Sequence, residues 1–96
     1  VTTVRVGEFE WDSDKAARNT KKHGVTFTEA MQCFLDPHGV DLADSNHPGR
    51  ILLVAVSRAH RVLCVVYAER LDGAIVRLIS ARRATRHEKK IYQEYP

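Results

Sequence analysis

The apolar positions of this chain follow three different rhythms. Arg50 to Ser57 and Val62 to Glu69 are near-continuous runs of Val, Ile and Leu, the pattern of strands buried within a sheet. Arg58 to Arg61 links them, and Asp72-Gly73 supplies a hairpin turn into a third run, Ile75 to Ala81. Three strands with such short connections predict an antiparallel meander. A helical rhythm occupies Phe27, Ala30, Met31, Phe34 and Leu35, one stripe of a core helix. Thr26-Phe27-Thr28-Glu29 opens it as a capping box, and Asp36-Pro37 closes it. The third rhythm is almost wholly polar. Asp12 or Ser13 offers an N-cap and Gly24 a C-terminal stop for a helix whose apolar face holds only Ala16 and Ala17. So thin a face predicts a helix laid over a sheet edge. Its last turn, Lys21-Lys22-His23, suits the negative end of the helix dipole.

Weaker signals complete the order. Val4, Val6 and Phe9 suggest one short first strand anchored by Trp11, and Val40 to Ala43 a weak strand before the polar loop Asp44 to Gly49. Thr85-Arg86-His87-Glu88 repeats the capping box and opens a last helix that turns Ile91 and Tyr92 (or Tyr95) inward. The sum, β-α-α-β-β-β-β-α, is an α+β fold: an antiparallel meander with two N-terminal helices and one C-terminal helix. Ninety-six residues make one domain, 1–96, with a single core.

Composition changes this picture little. A chain with 44% hydrophobic and 28% charged residues is an ordinary globular protein. It shows no signal peptide, and its longest apolar run, Ile51 to Val56, is too short to cross a bilayer, so no membrane partner and a cytoplasmic setting are expected. Cys33 and Cys64 lie in unlike apolar segments and read as buried free thiols. Charge says more. Between Arg77 and Lys90 stand six of the fifteen Lys and Arg residues and a single acid, Glu88. That window carries +5 of a total of +3, leaving about −2 for the remainder. A strand that delivers adjacent arginines into a basic helix is suited to a polyanion, nucleic acid first.

Other chemistries lack their parts. The five histidines (23, 38, 47, 60, 87) form no i, i+4 pair, there is no Cys-x-x-Cys, and no metal site is expected. The glycines make no phosphate-binding loop, so no cofactor is expected either. Metal-free RNA cleavage needs a base for the 2′-hydroxyl, a multi-donor cation for the phosphorane and an acid for the leaving 5′-oxygen. Arginine suits the middle role, and histidine suits proton transfer. His23 is the proton-transfer candidate, with Lys22, Glu88 and Tyr92 as secondary ones. Strict alternation puts Leu78, Ser80 and Arg82 on one face of the last strand and Arg77, Ile79 and Ala81 on the other. On the preceding strand Val66, Ala68 and Arg70 oppose Val65, Tyr67 and Glu69. Helices on one side of such a sheet leave the other side free.

Read in order, the segments resemble the BrnT toxin family. Phe9-Glu10-Trp11-Asp12, Lys15, Asn19, Lys22-His23-Gly24-Val25, Phe27, Glu29-Ala30 and Phe34-Leu35-Asp36-Pro37 carry the first half of the likeness. Val65 to Arg70, Arg77 to Thr85, Glu88 and Tyr92 carry the second. Two departures stand out: Ala55 where a glycine is expected, and no glycine in Arg58 to Arg61. The resemblance implies a RelE-like fold and a metal-independent ribonuclease toxin of a type II toxin–antitoxin pair, one that slows translation. Its implied partner is a BrnA-type antitoxin with a ribbon-helix-helix part, in a complex that binds operator DNA. On this reading His23, Arg70 and Arg82 are catalytic, Lys22, Arg77, Arg83 and Lys89 bind RNA, and Glu88 and Tyr92 are accessory. The alternatives are a non-enzymatic toxin acting on a protein such as a topoisomerase, and a plain nucleic-acid-binding module.

Overall fold

The computed structural model describes residues 2–95. The elements run β1 (Thr3–Val6), β2 (Phe9–Asp12), α1 (Ser13–His23), α2 (Phe27–Cys33), β3 (Val40–Ala43), β4 (Ile51–Val56), β5 (Val62–Arg70), β6 (Ile75–Arg83) and α3 (Arg86–Glu94). The class is α+β, as expected. The six strands form one sheet in the order β1-β2-β6-β5-β4-β3. The predicted meander extends over β3 to β6, all antiparallel.

The N-terminal end departs from expectation. What reads as one strand is a hairpin: Val6 pairs with Phe9, and Gly7, at φ +56°, takes the left-handed turn position. Its second strand then lies parallel to β6, with Glu10 opposite Arg77, so the sheet is mixed. The crossover from β2 runs through both N-terminal helices before the chain returns to the sheet, the kind of long connection that parallel pairing needs.

Those two helices cover one face. Phe27, Ala30 and Cys33 of α2 pack with Leu53, Ala55, Leu63, Val65, Tyr67 and Leu78 of the sheet. The other face is not free. Val54, Cys64 and Ala84 form a small second cluster there, against which Tyr92 of α3 packs. Helix α1 does cover an edge, the stretch of β6 that β2 leaves unpaired beyond Arg77: Asn19, 7% exposed, bonds the Ala81 backbone there, and Ala16 packs on the main core.

Caps account for the helix ends. Asp12 Oδ1 accepts from the Asp14 and Lys15 amides, and Gly24, at φ +68°, closes α1 with its amide on Thr20 O. Thr26 caps α2, but the expected capping box is only half made. The Glu29 carboxylate turns away to accept from Arg61 and Ser57. At Thr85–Glu88 both halves are present. Helix α2 stops at Cys33, before Asp36-Pro37, so Leu35 falls off the helical stripe and stands 68% exposed while Cys33 is buried in the core. In the link from β4 to β5, His60 adopts φ +58°, filling without glycine the left-handed position of that turn. Both cysteines are free and buried, and burial first of all pushes each thiol up to about 12, which makes them poor nucleophiles.

Candidate functional site

Strand β6 organises the chemistry, and an irregularity in it matters most. Val66 pairs with Ser80 but Tyr67 with Leu78, so Ile79 is an extra residue in the ladder. Paired residues share a face. Arg77, opposite Ala68, and Arg82, opposite Cys64, therefore lie on the same side as Arg70, not on opposite sides as strict alternation predicts. Arg83, opposite Leu63, points to the helix side with α1 and α2.

Each arginine on the α3 side is held by a carboxylate. Glu10 is 3% exposed; it accepts from Arg70 Nε at 2.7 Å and from Arg77 Nη1 at 3.1 Å. Burial alone would raise its pKa, but the hydrogen bonds and charges of Arg70 and Arg77 outweigh that and hold it below the usual range. One carboxylate between two guanidiniums leaves a net positive group. At the far end of the strand Glu88 takes both branches of Arg82, at 2.7 and 2.9 Å, and also caps the Thr85 amide at 2.8 Å. Arg82's hydrogen bonds, most of all, lower Glu88 from 4.5 to about 2. Glu88 is thus ionised throughout the neutral range, and Arg82 fastens α3 to β6. Tyr92 is likewise committed: its hydroxyl donates to Asp36 Oδ2 at 2.7 Å, which pushes it up to about 12.

On the helix side the arrangement is different. Asn19 donates from Nδ2 to Ala81 O (2.8 Å) and Val25 O (3.0 Å), and its Oδ1 accepts the Ala81 amide at 3.0 Å. This latch pins α1 to β6 beside the Arg82-Arg83 pair, and His23 lies one helical turn further on. Lys15, Arg18, Lys22, His23 and Ser80 line a cleft around Asn19. Gly24 O accepts from Arg61 Nη2 at 3.1 Å, and Arg61 borders a second cleft with His60, Arg83 and Lys89. The Glu29 carboxylate near this rim is neutralised by Arg61, whose hydrogen bonds are the main cause of its lowered pKa. Lys22, Arg83 and Lys89 hold no ion pair among the described residues. All three are exposed, and Arg83 is near enough to Glu29 for its charge to help lower that carboxyl's pKa.

The predicted site residues are therefore divided. Lys22 and His23 line the cleft around Asn19, and Arg83 and Lys89 line the cleft beside Arg61; Arg70, Arg77 and Arg82 lie on the opposite face of the sheet, with Glu10 and Glu88. Glu10, Asn19, Glu29 and Arg61 organise these groups without standing out in the chain. A carboxylate between Phe9 and Trp11, and an asparagine in a helix with almost no apolar face, are the traces they leave. No group of three or more His, Cys, Asp or Glu side chains is placed to hold a metal ion among the described residues. No helix among them is long and apolar enough to cross a membrane. Asn19→Ala strands the Ala81 amide and carbonyl in the interior. We expect it to cost about 2 kcal/mol in urea unfolding, and Asn19→Asp to do no better at neutral pH, because a carboxylate oxygen then faces the Val25 and Ala81 carbonyls.

Comparisons with known proteins place this geometry. No curated protein matches the chain in sequence. Its fold is similar to that of the Brucella abortus ribonuclease toxin BrnT in a 1.1 Å crystal structure, with a TM-score of 0.64 and 21% identity over 79% of this chain and 94% of that one. Residues 11–88 match the family model described as "Ribonuclease toxin, BrnT, of type II toxin-antitoxin system". That span runs from Trp11 through the Lys22-His23 and Asn19 cleft to Glu88 at the foot of α3, and by it the chain belongs to the BrnT family of ribonuclease toxins.

Proposed function

We propose that the chain, acting as one domain over residues 1–96 in the cytoplasm, cleaves RNA without metal and so inhibits translation. A BrnA-type ribbon-helix-helix antitoxin silences it, in a complex that binds operator DNA. The observation that carries the catalytic part is the Asn19–Ala81 latch. It fixes α1 against β6, with Lys22 and His23 on one cleft; Arg61, which donates to the Gly24 carbonyl just after His23, borders the next cleft with Arg83, and this supports a reading in which both clefts serve one RNA.

In this reading His23 takes the proton of the 2′-hydroxyl, whose oxygen attacks phosphorus as the bond to the 5′-oxygen breaks. Lys22 supplies the cationic donor for that leaving oxygen. Arg83 stabilises the extra negative charge on the phosphorane, because its fork donates two hydrogen bonds and stays charged. Lys89 holds a neighbouring phosphate. Arg82 lies behind Arg83, on the other face, and keeps the start of α3 in position through Glu88. Arg70 and Arg77, pre-oriented by Glu10 on the opposite face, are a second basic group away from the reacting phosphate. The exposed cations Lys22, Arg83 and Lys89 support a mechanism that rests on proton transfer and charge.

Purified chain incubated with a short RNA in excess chelator tests this. Products with a 5′-hydroxyl and a 2′,3′-cyclic phosphate are expected. RNA that is bound in a salt-sensitive way but left intact would instead favour a plain binding module.

A further inference from the structure

A continuous trough crosses the α2 side of the molecule and ends at the basic rim. At one end Phe9, Met31 and Phe34 line an apolar groove with exposed Leu35 on its lip. Gln32, Leu35 and Arg58 also border a second, more polar depression that continues past Ser57 to His60. His60 in turn borders the cleft of Arg61, Arg83 and Lys89. The path is apolar, then mixed, where Asp36 is already engaged by the Val56 amide and the Tyr92 hydroxyl and Arg58 is the exposed charge, then cationic. A single exposed leucine is unremarked on most proteins, but this one stands between an aromatic groove and a row of positive charges.

We propose that this trough is the docking site of the antitoxin. The partner seats apolar side chains around Leu35 and lays carboxylates over Arg58, Arg83 and Lys89, so one segment both anchors itself and covers the rim that holds RNA. The inference rests on the toxin–antitoxin reading of the family and goes beyond it by naming the surface. Charge order selects the occupant. RNA has no use for the apolar end, which offers no partner for phosphate. A second copy of this chain, docked about a two-fold axis through this trough, would bring Arg58, Arg61, Arg83 and Lys89 of both copies into one contact without added acids. An amphipathic, acidic segment satisfies both ends.

The test uses the intact pair: this chain and the product of the adjoining antitoxin reading frame, with affinity read by titration calorimetry for wild type, Leu35→Glu and Arg58→Glu. Both side chains are exposed, so melting temperatures should stay at the wild-type value. Each substitution is expected to weaken the complex by about 30-fold or more, the mark of an anchor residue. Free Leu35→Glu chain should cleave RNA at the wild-type rate yet escape silencing by antitoxin concentrations that stop the wild type. Unchanged affinity in both variants, or no complex with the wild type, overturns the proposal. So does a wild-type dimer that Leu35→Glu dissociates, since the groove then belongs to a second copy. Free wild-type chain that leaves RNA intact is the separate result that removes the ribonuclease reading beneath it.

Discussion

Two adjacent arginines are expected to fail in different ways when replaced. Arg83→Ala should lower RNA cleavage by about two to three orders of magnitude, the usual effect of removing a cation that meets developing charge. Its stability should change by less than about 0.5 kcal/mol, as for an exposed side chain outside any ion pair. Arg82→Ala should do the reverse. It leaves Glu88, 8% exposed, without its bidentate partner. Breaking such a pair costs about 3 kcal/mol, and for a domain of this size that lowers Tm by roughly 10–20 °C. The same partner is the main cause of the lowered Glu88 pKa, with the Thr85 amide contributing as well. Because that pKa is depressed in the fold, the stabilisation is complete above pH 4.5 and disappears as pH falls toward about 2. Urea titrations across that interval should show a steep loss for wild type and a shallower one for Arg82→Ala. Equal cleavage defects in the two variants, after correction for the folded fraction, would mean that both guanidiniums touch the reacting phosphate.

His23→Ala carries the other large effect. Removal of a general acid or base costs about 10²- to 10⁴-fold in rate. As the last residue of α1, His23 also sits at the negative end of the helix dipole, a contribution of about 0.3–1 kcal/mol. The two roles separate by rescue. If His23 carries the proton, imidazole added to the reaction should restore part of the lost cleavage of His23→Ala at an unchanged melting temperature. A histidine that serves only the helix end would lower the melting temperature a few degrees and leave the cleavage rate of the folded fraction in place.

Much of this molecule is legible in its residues, and the exceptions have physical causes. The strong strands are visible because burial on both faces demands continuous apolar runs, and Thr85 to Glu88 declares its cap through purely local hydrogen bonds. The N-terminal hairpin is obscured because β1 is short and largely exposed, and Val4, Val6 and Phe9 read on as a single strand across the reversal. Its only sign is Gly7. The candidate site is harder to read. Its basic residues can be found by charge, but their grouping depends on contacts that span more than sixty positions, such as Asn19 to Ala81 and Glu10 to Arg77. Glu29 shows the same limit. Local pattern assigns it to a helix cap, and a distant guanidinium claims it instead.

The extra residue at Ile79 has a consequence for how such a chain can vary. Five positions separate Arg77 from Arg82, an odd interval that would send them to opposite surfaces of an unbroken strand. One inserted amino acid rephases the pleat between them and gathers the guanidiniums on a single flank. Point substitutions at Ile79 keep that phase, whereas losing the position would reverse the outlook of every side chain on one half of β6. The electrostatic handedness of the molecule is thus written in the count of residues along a strand rather than in their identities.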